Sequence, residues 1–305
     1  MKMVDTKRNN WRLVKMLLSF ILSGAFLINF TYAEIPQAER QALEDLYRST
    51  NGNQWIRQWD MKETVNQWYG ITVFDDHVVE INLTRNNLMG PLPESIGQLT
   101  RLRSLNLTFN SITGEIPVGI TNLTSLRILR LEMNKIDGNL PEDIGNMKQL
   151  VVFSAFNNFI TGKIPTSIGK LTNLKELNLS SNKLYGSIPS DVGMCVQLEI
   201  LGVFDNELDG SIPSSIGRLA QLQELVLSNN RISGEIPIEI ADLHNIKVFQ
   251  IQNNSFDSLE NMKYLNTQDM LAMDYDKNGY KLDLKTLKLP GKGKMADTKF
   301  EDDHN

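Results

Sequence analysis

Apolar and polar positions repeat along this chain with a period of 24 residues. Each unit carries two leucines around one polar residue, as in Leu105-Asn-Leu107, which predicts a short strand with alternate side chains on opposite faces. An asparagine follows at a fixed place in every unit, at 86, 110, 134, 158, 182, 206, 230 and 254. A repeat of this length predicts stacked coils that bury their apolar sides against one another, in a solenoid.

Three other repeated positions have predicted scaffold roles. The asparagine amide is expected to turn inward and satisfy backbone groups in the bend after the strand. Glycines at 90, 114, 138, 162, 186, 210 and 234 permit a left-handed turn, and prolines at 93, 117, 141, 165, 189, 213 and 237 stiffen an extended segment on the far side. Cys195, the one cysteine, occupies a column of leucines and a methionine, which predicts a core residue.

The units resemble the plant-type leucine-rich repeat, and one of them reads Leu102-Arg-Ser-Leu105-Asn-Leu107-Thr-Phe-Asn110-Ser-Ile-Thr-Gly114. The resemblance covers residues 78–262, about eight coils. It implies an α/β repeat solenoid, a leucine-rich-repeat horseshoe with a parallel concave sheet. The convex side should combine 3-10 turns with extended segments, and a helix should lie in the N-terminal cap.

Residues 34–77 are expected to cap the solenoid, with Leu43, Leu46 and Tyr47 on one face of a helix, followed by three tryptophans at 55, 59 and 68. The segment is similar to the N-terminal caps of plant leucine-rich-repeat proteins but has no cysteine pair. In this it is more similar to secreted bacterial repeat proteins, which favours a bacterial source. Buried tryptophans would replace the disulfides. A sugar-stacking platform is the alternative interpretation of these rings.

Residues 1–33 are expected to form a signal peptide, because basic residues precede an apolar stretch over 16–30 and a small residue, Ala33. An uncleaved anchor is the alternative, but that stretch is shorter than the roughly 20 residues of a spanning helix. We therefore expect a secreted, periplasmic or cell-surface protein without a membrane span after cleavage. The remaining chain would carry 26 basic against 35 acidic residues, a net charge of −9, which argues against nucleic acid as a partner.

The other end of the chain loses the repeat pattern. Residues 263–290 are expected to form a C-terminal cap and residues 291–305 a disordered tail. Asp274, Asp276 and Asn278 match the opening of a calcium loop, but Lys285 stands where a bidentate carboxylate is needed. A hairpin that turns at Asn278 is therefore the preferred interpretation, and the calcium site is the weaker one.

Catalytic chemistry has no support in the sequence. The three histidines, His77, His244 and His304, lack neighbours at metal-ligand or catalytic spacing, so we expect solvent-facing histidines. We predict a protein that is not an enzyme and that uses no cofactor.

A partner is expected on the concave strand face, where outward positions are mostly polar but large apolar side chains intervene. Phe156 and Phe204 share one column two coils apart, about 10 Å. The candidate binding residues are Phe109, Arg130, Glu132, Met133, Phe156, Phe204 and Asp205. In the alternative interpretation, Phe156 only covers the sheet.

These patterns favour a secreted binding protein that recognises a protein or carbohydrate ligand. The alternative is a structural or surface-associating repeat protein of the matrix, ice or adhesion type, which would need a regular ladder of Thr or Ser. Such a ladder begins at Thr84 and Thr108 and ends at Glu132. Plant proteins with this repeat include receptor ectodomains and inhibitors of secreted polysaccharide-degrading enzymes, so the resemblance also suggests either of these roles.

Overall fold

The computed structural model describes residues 35–266 and 270–275. The predicted signal peptide, the predicted tail, and Asp276 and Asn278 of the calcium candidate lie outside these residues. Asp274 lies inside them, at the end of a strand. Over the described part of the chain, no helix is both long and apolar enough to cross a membrane.

The main sheet has one short strand in each coil. Its first two strands are antiparallel, and every later strand pairs in parallel with the strand one coil before it, so that Leu105 lies beside Ile81 and Leu129. Numbered in chain order with the strands of the far side, its ten strands among the described residues are β1 (Ile71–Phe74), β2 (His77–Asn82), β4 (Ser104–Asn106), β6 (Ile128–Arg130), β8 (Val152–Ser154), β10 (Glu176–Asn178), β12 (Ile200–Gly202), β14 (Glu224–Val226), β16 (Val248–Gln250) and β18 (Ala272–Asp274).

The opposite, convex side alternates short extended pairs with 3-10 turns, as predicted. Its strands are β3 (Met89–Gly90), β5 (Ser111–Gly114), β7 (Lys135–Ile136), β9 (Thr161–Gly162), β11 (Lys183–Ser187), β13 (Glu207–Asp209), β15 (Ser233–Glu235) and β17 (Ser255–Ser258). The 3-10 helices of the coils are Glu94–Gln98, Val118–Asn122, Ile144–Asn146, Thr166–Lys170, Ser190–Met194, Ser214–Arg218, Ile238–Asp242 and Glu260–Tyr264. Repeated prolines such as Pro117 (φ −63°, ψ 143°) precede most of these turns in an extended conformation. The repeated glycines all have positive φ, between 68° and 119°.

The repeated asparagines form the predicted inward ladder. The Asn134 Nδ2 donates to the carbonyl oxygens of Leu107 and Leu131, both at 3.0 Å, and its Oδ1 accepts from the amide of Ile112 at 3.0 Å. Asn158 makes the same bonds one coil later. Each amide therefore joins its own coil to the one before it and satisfies backbone groups that the bend leaves unpaired.

The core is continuous from coil to coil. In one coil, Leu105, Leu107, Ile112 and Ile120 are fully buried and Ile116 is nearly so. Cys195 is fully buried in this core, as its column predicted, and its Sγ donates to the Ile168 carbonyl at 3.2 Å. Burial raises the pKa of its thiol to about 11, so the sulfur stays protonated at neutral pH.

The N-terminal cap consists of helix α1 (Gln37–Ser49), two 3-10 turns (Gly52–Gln54 and Val65–Gln67) and strand β1. The rings of Trp59 and Trp68 stack at 4.7 Å, and Trp55 meets Trp59 edge-on at 4.9 Å. All three tryptophans are buried, with exposed fractions of 2–4%. This confirms the packing role; the sugar-stacking interpretation is wrong, because no ligand reaches a buried ring.

His77 corrects the expectation of a solvent-facing histidine. Its Nδ1 lies 2.5 Å from Oε1 of Glu39, a carboxylate that is buried within α1. The other carboxylate oxygen accepts a hydrogen bond from the Val78 amide at 2.8 Å. These two hydrogen bonds attach the cap helix to the start of β2. They also satisfy the buried Glu39 carboxylate, which would be costly to bury without partners.

Candidate functional site

The outward residues of the concave side form four columns, each of which takes one residue from every coil. In one coil, the first to fourth columns are occupied by Ser104, Asn106, Thr108 and Phe109. Only the first two columns lie on strands. The strands of the coils are mostly three residues long and end at the second column, for example at Asn106 and Arg130. The third and fourth columns, which include Thr108 and Phe109, lie in the bend after the strand. Their backbone continues the pairing, since the Phe109 amide donates to the Glu132 carbonyl at 3.0 Å.

The fourth column has a left-handed backbone in every coil, with φ between 52° and 57°. Three predicted site residues, Phe109, Met133 and Asp205, occupy it. The sequence analysis expected these residues on the strand face, but they project from the bend that follows the strand. The bend follows from the asparagine ladder, because the asparagine that immediately follows this column bonds back to the carbonyls before it.

The third column alternates large and small side chains at the centre of the solenoid. Phe156, Ser180, Phe204 and Ser228 follow one another in successive coils. Both phenylalanines are half-buried, and both serines are buried although they belong to the concave side. Ser154 in the second column is buried as well, at 1% exposure.

The floor between the two phenylalanines is small and fixed. The Ser180 Oγ accepts a hydrogen bond from the Phe204 amide at 3.1 Å, and the Ser180 amide donates to Asn178 Oδ1 at 3.1 Å. The next coil contributes Gly202, which has no side chain. We call this arrangement of Phe156, Ser180 and Phe204 the aromatic slot, and its two walls are about 10 Å apart at the backbone.

An ion-pair network lies beside the slot. The Arg130 guanidinium donates to Glu132 Oε1 at 2.9 Å and to Glu176 Oε2 at 3.3 Å, so it links coils two apart. The Thr108 hydroxyl lies 2.7 Å from Glu132 Oε2 and is in reach to donate to it. Glu132 is buried, so its negative charge requires a partner, and the Arg130 guanidinium supplies the positive charge that balances it. Arg130 and Glu132, both candidate binding residues, lie together in this network.

The remaining predicted residues occupy separate places. Phe109 is 43% exposed and lies under the guanidinium of Arg85 at 4.5 Å, in the coil before it. The Met133 sulfur accepts from Asn157 Nδ2 at 2.7 Å. Asp205 is exposed beside Phe204. The structure thus divides the predicted patch into the slot, the Arg130 network and the Arg85–Phe109 pair, and it leaves Met133 and Asp205 outside these groups.

Four contributors were not predicted as site residues, although each has a signal in the columns. The signal for Ser180 and Gly202 is their small size next to a phenylalanine, in columns whose residue differs from coil to coil. The signal for Glu176 is a carboxylate within two coils of Arg130. Arg85 precedes Phe109 in the same column, which is the spacing of stacked neighbours.

The described residues contain no cluster of side chains that could bind a metal ion. Nowhere in 35–266 or 270–275 do three His, Cys, Asp or Glu side chains come together in a way that would hold an ion.

Comparison with known families agrees with the repeat. A model described as leucine-rich repeat region matches residues 81–184, and a model described as Leucine Rich Repeat matches residues 221–243. A search of curated proteins by sequence gave no significant match.

Solved structures with the same fold include plant receptor ectodomains. The GASSHO1/SCHENGEN3 ectodomain from Arabidopsis thaliana, in complex with CASPARIAN STRIP INTEGRITY FACTOR 2, is 28% identical over 77% of this chain and 29% of its own, with a TM-score of 0.72. The Arabidopsis receptor kinase HAESA, in complex with the peptide hormone IDA and the co-receptor SERK1, is 25% identical over 79% of this chain and 41% of its own, with a TM-score of 0.68.

A bacterial protein is similar too. An internalin from Listeria monocytogenes is 25% identical over 63% of this chain and 52% of its own, with a TM-score of 0.50. This chain spans less than half the length of the two plant ectodomains. The 24-residue register, the ladder of asparagines, the parallel sheet and these matches agree that the coils of this chain are leucine-rich repeats, and they are consistent with the plant-type class of that repeat.

Proposed function

We propose that this protein is a secreted or surface-exposed binding protein without catalytic activity, and that it holds an extended segment of a protein partner in the aromatic slot. The observation that carries the proposal is the succession of Phe156, Ser180 and Phe204 in one column, with a floor of buried small side chains. A scaffold needs no large side chain at these positions, since other coils place Thr84, Thr108 or Ser228 there.

The dimensions of the slot favour one inserted group. Two walls about 10 Å apart at the backbone leave room for a single flat or branched apolar group in contact with both rings, because each contact takes about 3.5–4 Å. A half-buried phenylalanine still has apolar surface to lose, and partly exposed aromatics beside charged residues are typical of binding centres. The Arg130 network supplies that charge next to the slot.

Peptide is the partner class that the comparisons support. The plant receptor kinase HAESA is solved with the peptide hormone IDA and the co-receptor SERK1, and the GASSHO1/SCHENGEN3 ectodomain with CASPARIAN STRIP INTEGRITY FACTOR 2. An extended segment also suits a row of parallel coils, because about three of its residues, at 3.3–3.6 Å each, span two coils that are about 4.8 Å apart. The sequence analysis also allowed a glycan partner, and the experiment below distinguishes a glycan from a protein.

The test is capture of the partner from the native medium of the source organism on immobilised wild-type protein and two variants. Phe156→Ala with Phe204→Ala removes both walls of the slot, and Phe159→Ala removes a phenylalanine outside the columns that is more exposed than either of them, at 47%. We expect a protease-sensitive partner that the wild type and the Phe159 variant retain and the double variant loses. Equal capture on all three would overturn the proposal, and a captured glycan that resists protease would replace the partner class.

A further inference from the structure

We infer that one lateral edge of the solenoid is a binding surface for an anionic polysaccharide, separate from the aromatic slot. The edge consists of the segments that lead from the 3-10 helix of one coil to the next concave strand. Its basic part comprises residues 98–103, 122–127, 146–151 and 170–175, in four successive coils, and we call this part the basic edge. The inference goes beyond the proposed function and does not depend on it.

The basic edge carries positive charge and no negative charge. Its 24 residues include six of the 31 basic residues of the chain and none of the 36 acidic ones. All six basic side chains are exposed: Arg101, Arg103, Arg127, Lys148, Lys170 and Lys175. The rest of the chain has an excess of acid, so this edge differs in sign from its surroundings. Such a distribution attracts an anionic partner and orients it on one side of the molecule.

Backbone hydrogen bonds hold part of the basic edge in a straight row. The Arg127 amide donates to the Arg103 carbonyl at 2.9 Å, and the Val151 amide donates to the Arg127 carbonyl at 2.8 Å. The Lys175 amide continues the row to the Val151 carbonyl, also at 2.8 Å. Neighbours in the row are therefore about 4.8 Å apart, and the row extends over about 14 Å. A linear polyanion can contact several of these cations at once, which raises its total affinity.

Most of this positive charge is not balanced inside the protein. Among the described residues, Lys175 alone of the six has an acidic partner, with its Nζ 2.6 Å from Glu199 Oε1 in the next coil. Asp75 and Asp76, in the turn between β1 and β2, form no ion pair within the described part of the chain. Like charges in adjacent coils repel one another, and an anionic group that binds between them removes the repulsion.

The uncharged residues of the basic edge favour a carbohydrate over a lipid surface. The exposed ones all carry hydroxyl or amide groups, which can form hydrogen bonds with sugar hydroxyls: Gln98, Thr100, Asn122, Thr124, Asn146, Gln149, Thr172 and Asn173. Apart from the half-buried Val151, every apolar side chain of these segments is buried, so the edge offers little to insert into a bilayer. Nucleic acid carries one charge per about 1.7 Å, and the acidic remainder of the chain repels it more strongly than a polysaccharide with fewer charges.

Three dextrans with the same sugar backbone test the inference: neutral dextran, dextran sulfate and carboxymethyl dextran. Isothermal titration of each into the protein measures its affinity. We expect both anionic dextrans to bind and neutral dextran not to bind, and the stronger of the two identifies sulfate or carboxylate as the preferred group. Binding should weaken as the NaCl concentration rises, because salt screens exposed charges.

Two pairs of substitutions separate this edge from charge in general. Arg103→Gln with Arg127→Gln removes two adjacent cations of the row, and we expect about three- to tenfold weaker binding of dextran sulfate with a nearly unchanged thermal transition. Lys135→Gln with Lys163→Gln removes the same charge from exposed positions of the convex side. This control should bind dextran sulfate like the wild type.

Phe156→Ala with Phe204→Ala should also bind dextran sulfate like the wild type, so failure of the slot and failure of the basic edge are distinguishable. Absence of binding by both anionic dextrans, or equal weakening by the two pairs of substitutions, would overturn the inference. Polyglutamate bound as tightly as carboxymethyl dextran would show that charge alone is recognised and would overturn the polysaccharide. Binding to vesicles of phosphatidylglycerol and phosphatidylcholine without binding to the anionic dextrans would overturn it in favour of a membrane surface.

Discussion

The buried carboxylate of Glu39 lies 2.5 Å from Nδ1 of His77 and also accepts the amide of Val78 at 2.8 Å. This one side chain joins the cap helix to the first parallel strand of the solenoid. The end of a solenoid exposes apolar surface, so the strength of this attachment determines how well the cap seals the stack.

Replacing Glu39 by Ala should destabilise the protein by about 1–3 kcal/mol, because the buried Val78 amide loses its acceptor. Chemical denaturation measures the change, and amide exchange at Val78 should accelerate. Glu44→Ala in the same helix is the control; its pairs with Arg40 and Arg48 are partly exposed, and we expect a cost of about 0–1 kcal/mol. Equal losses in the two variants would contradict a special role for Glu39.

The asparagine ladder predicts a second stability difference. Asn158→Ala should cost about 1–3 kcal/mol or more, since the Ile136 amide and the Leu131 and Ala155 carbonyls lose a common partner. Asn146→Ala, at an exposed position that ends a 3-10 turn, should change stability by about 0.5 kcal/mol or less. Urea denaturation compares them, and a ladder variant as stable as the control would refute the inward role.

Cys195 is predicted to be inert in the folded protein. Burial raises its pKa from 9.0 to about 11, so iodoacetamide at pH 8.5 should leave the native thiol unmodified and alkylate it only after unfolding. Mass spectrometry reads the result. Native alkylation at the rate of a free peptide cysteine would show that the core opens.

The same shift fixes the sign of a pH dependence. Between pH 9 and about 11 the unfolded thiol loses its proton while the folded thiol keeps it, so the contribution of Cys195 to stability falls as pH rises through this range. Below pH 9 the contribution is fully present. A Cys195→Ala variant should lack this part of the alkaline decline, and an identical decline in both proteins would contradict the shift.

The Arg130 network should behave as a coupled unit. Arg130→Gln leaves the buried Glu132 without its cation and should destabilise by about 1–2 kcal/mol, a value reduced because Arg130 is partly exposed. Glu132→Gln in addition should recover part of that loss. A double-mutant cycle by thermal unfolding measures the coupling, and strictly additive effects would show that the pair contributes nothing jointly.

The scaffold could be predicted from the sequence because the same residue type recurs at each scaffold position in successive 24-residue units. The inward Asn134, the extended Pro117 and the buried Cys195 all follow from their columns alone. Strand length was overestimated, since the alternation of Leu105 and Leu107 continues into the bend and hides the left-handed turn at Phe109. Strand β1 was not predicted, because it belongs to the cap and occurs once.

Features that occur once were the harder ones. Glu39 lies on the apolar face of α1, four residues before Leu43, and this position was the available signal for a buried acid. Its partner His77 is 38 residues away, and no local pattern reports such a contact. Likewise, five of the seven predicted residues divide among three groups and the other two, Met133 and Asp205, stand apart, because a column gives neighbours but not the direction in which a side chain such as Arg130 extends.

The aromatic slot is tested most directly by the affinity of the captured partner, once purified, for four proteins in isothermal titration: the wild type, Phe156→Ala, Phe204→Ala and Phe159→Ala. We expect each slot variant to bind at least about tenfold more weakly, as for truncation of a central aromatic, with the thermal transition nearly unchanged. The Phe159 variant should bind like the wild type. Wild-type affinity in both slot variants would contradict the account.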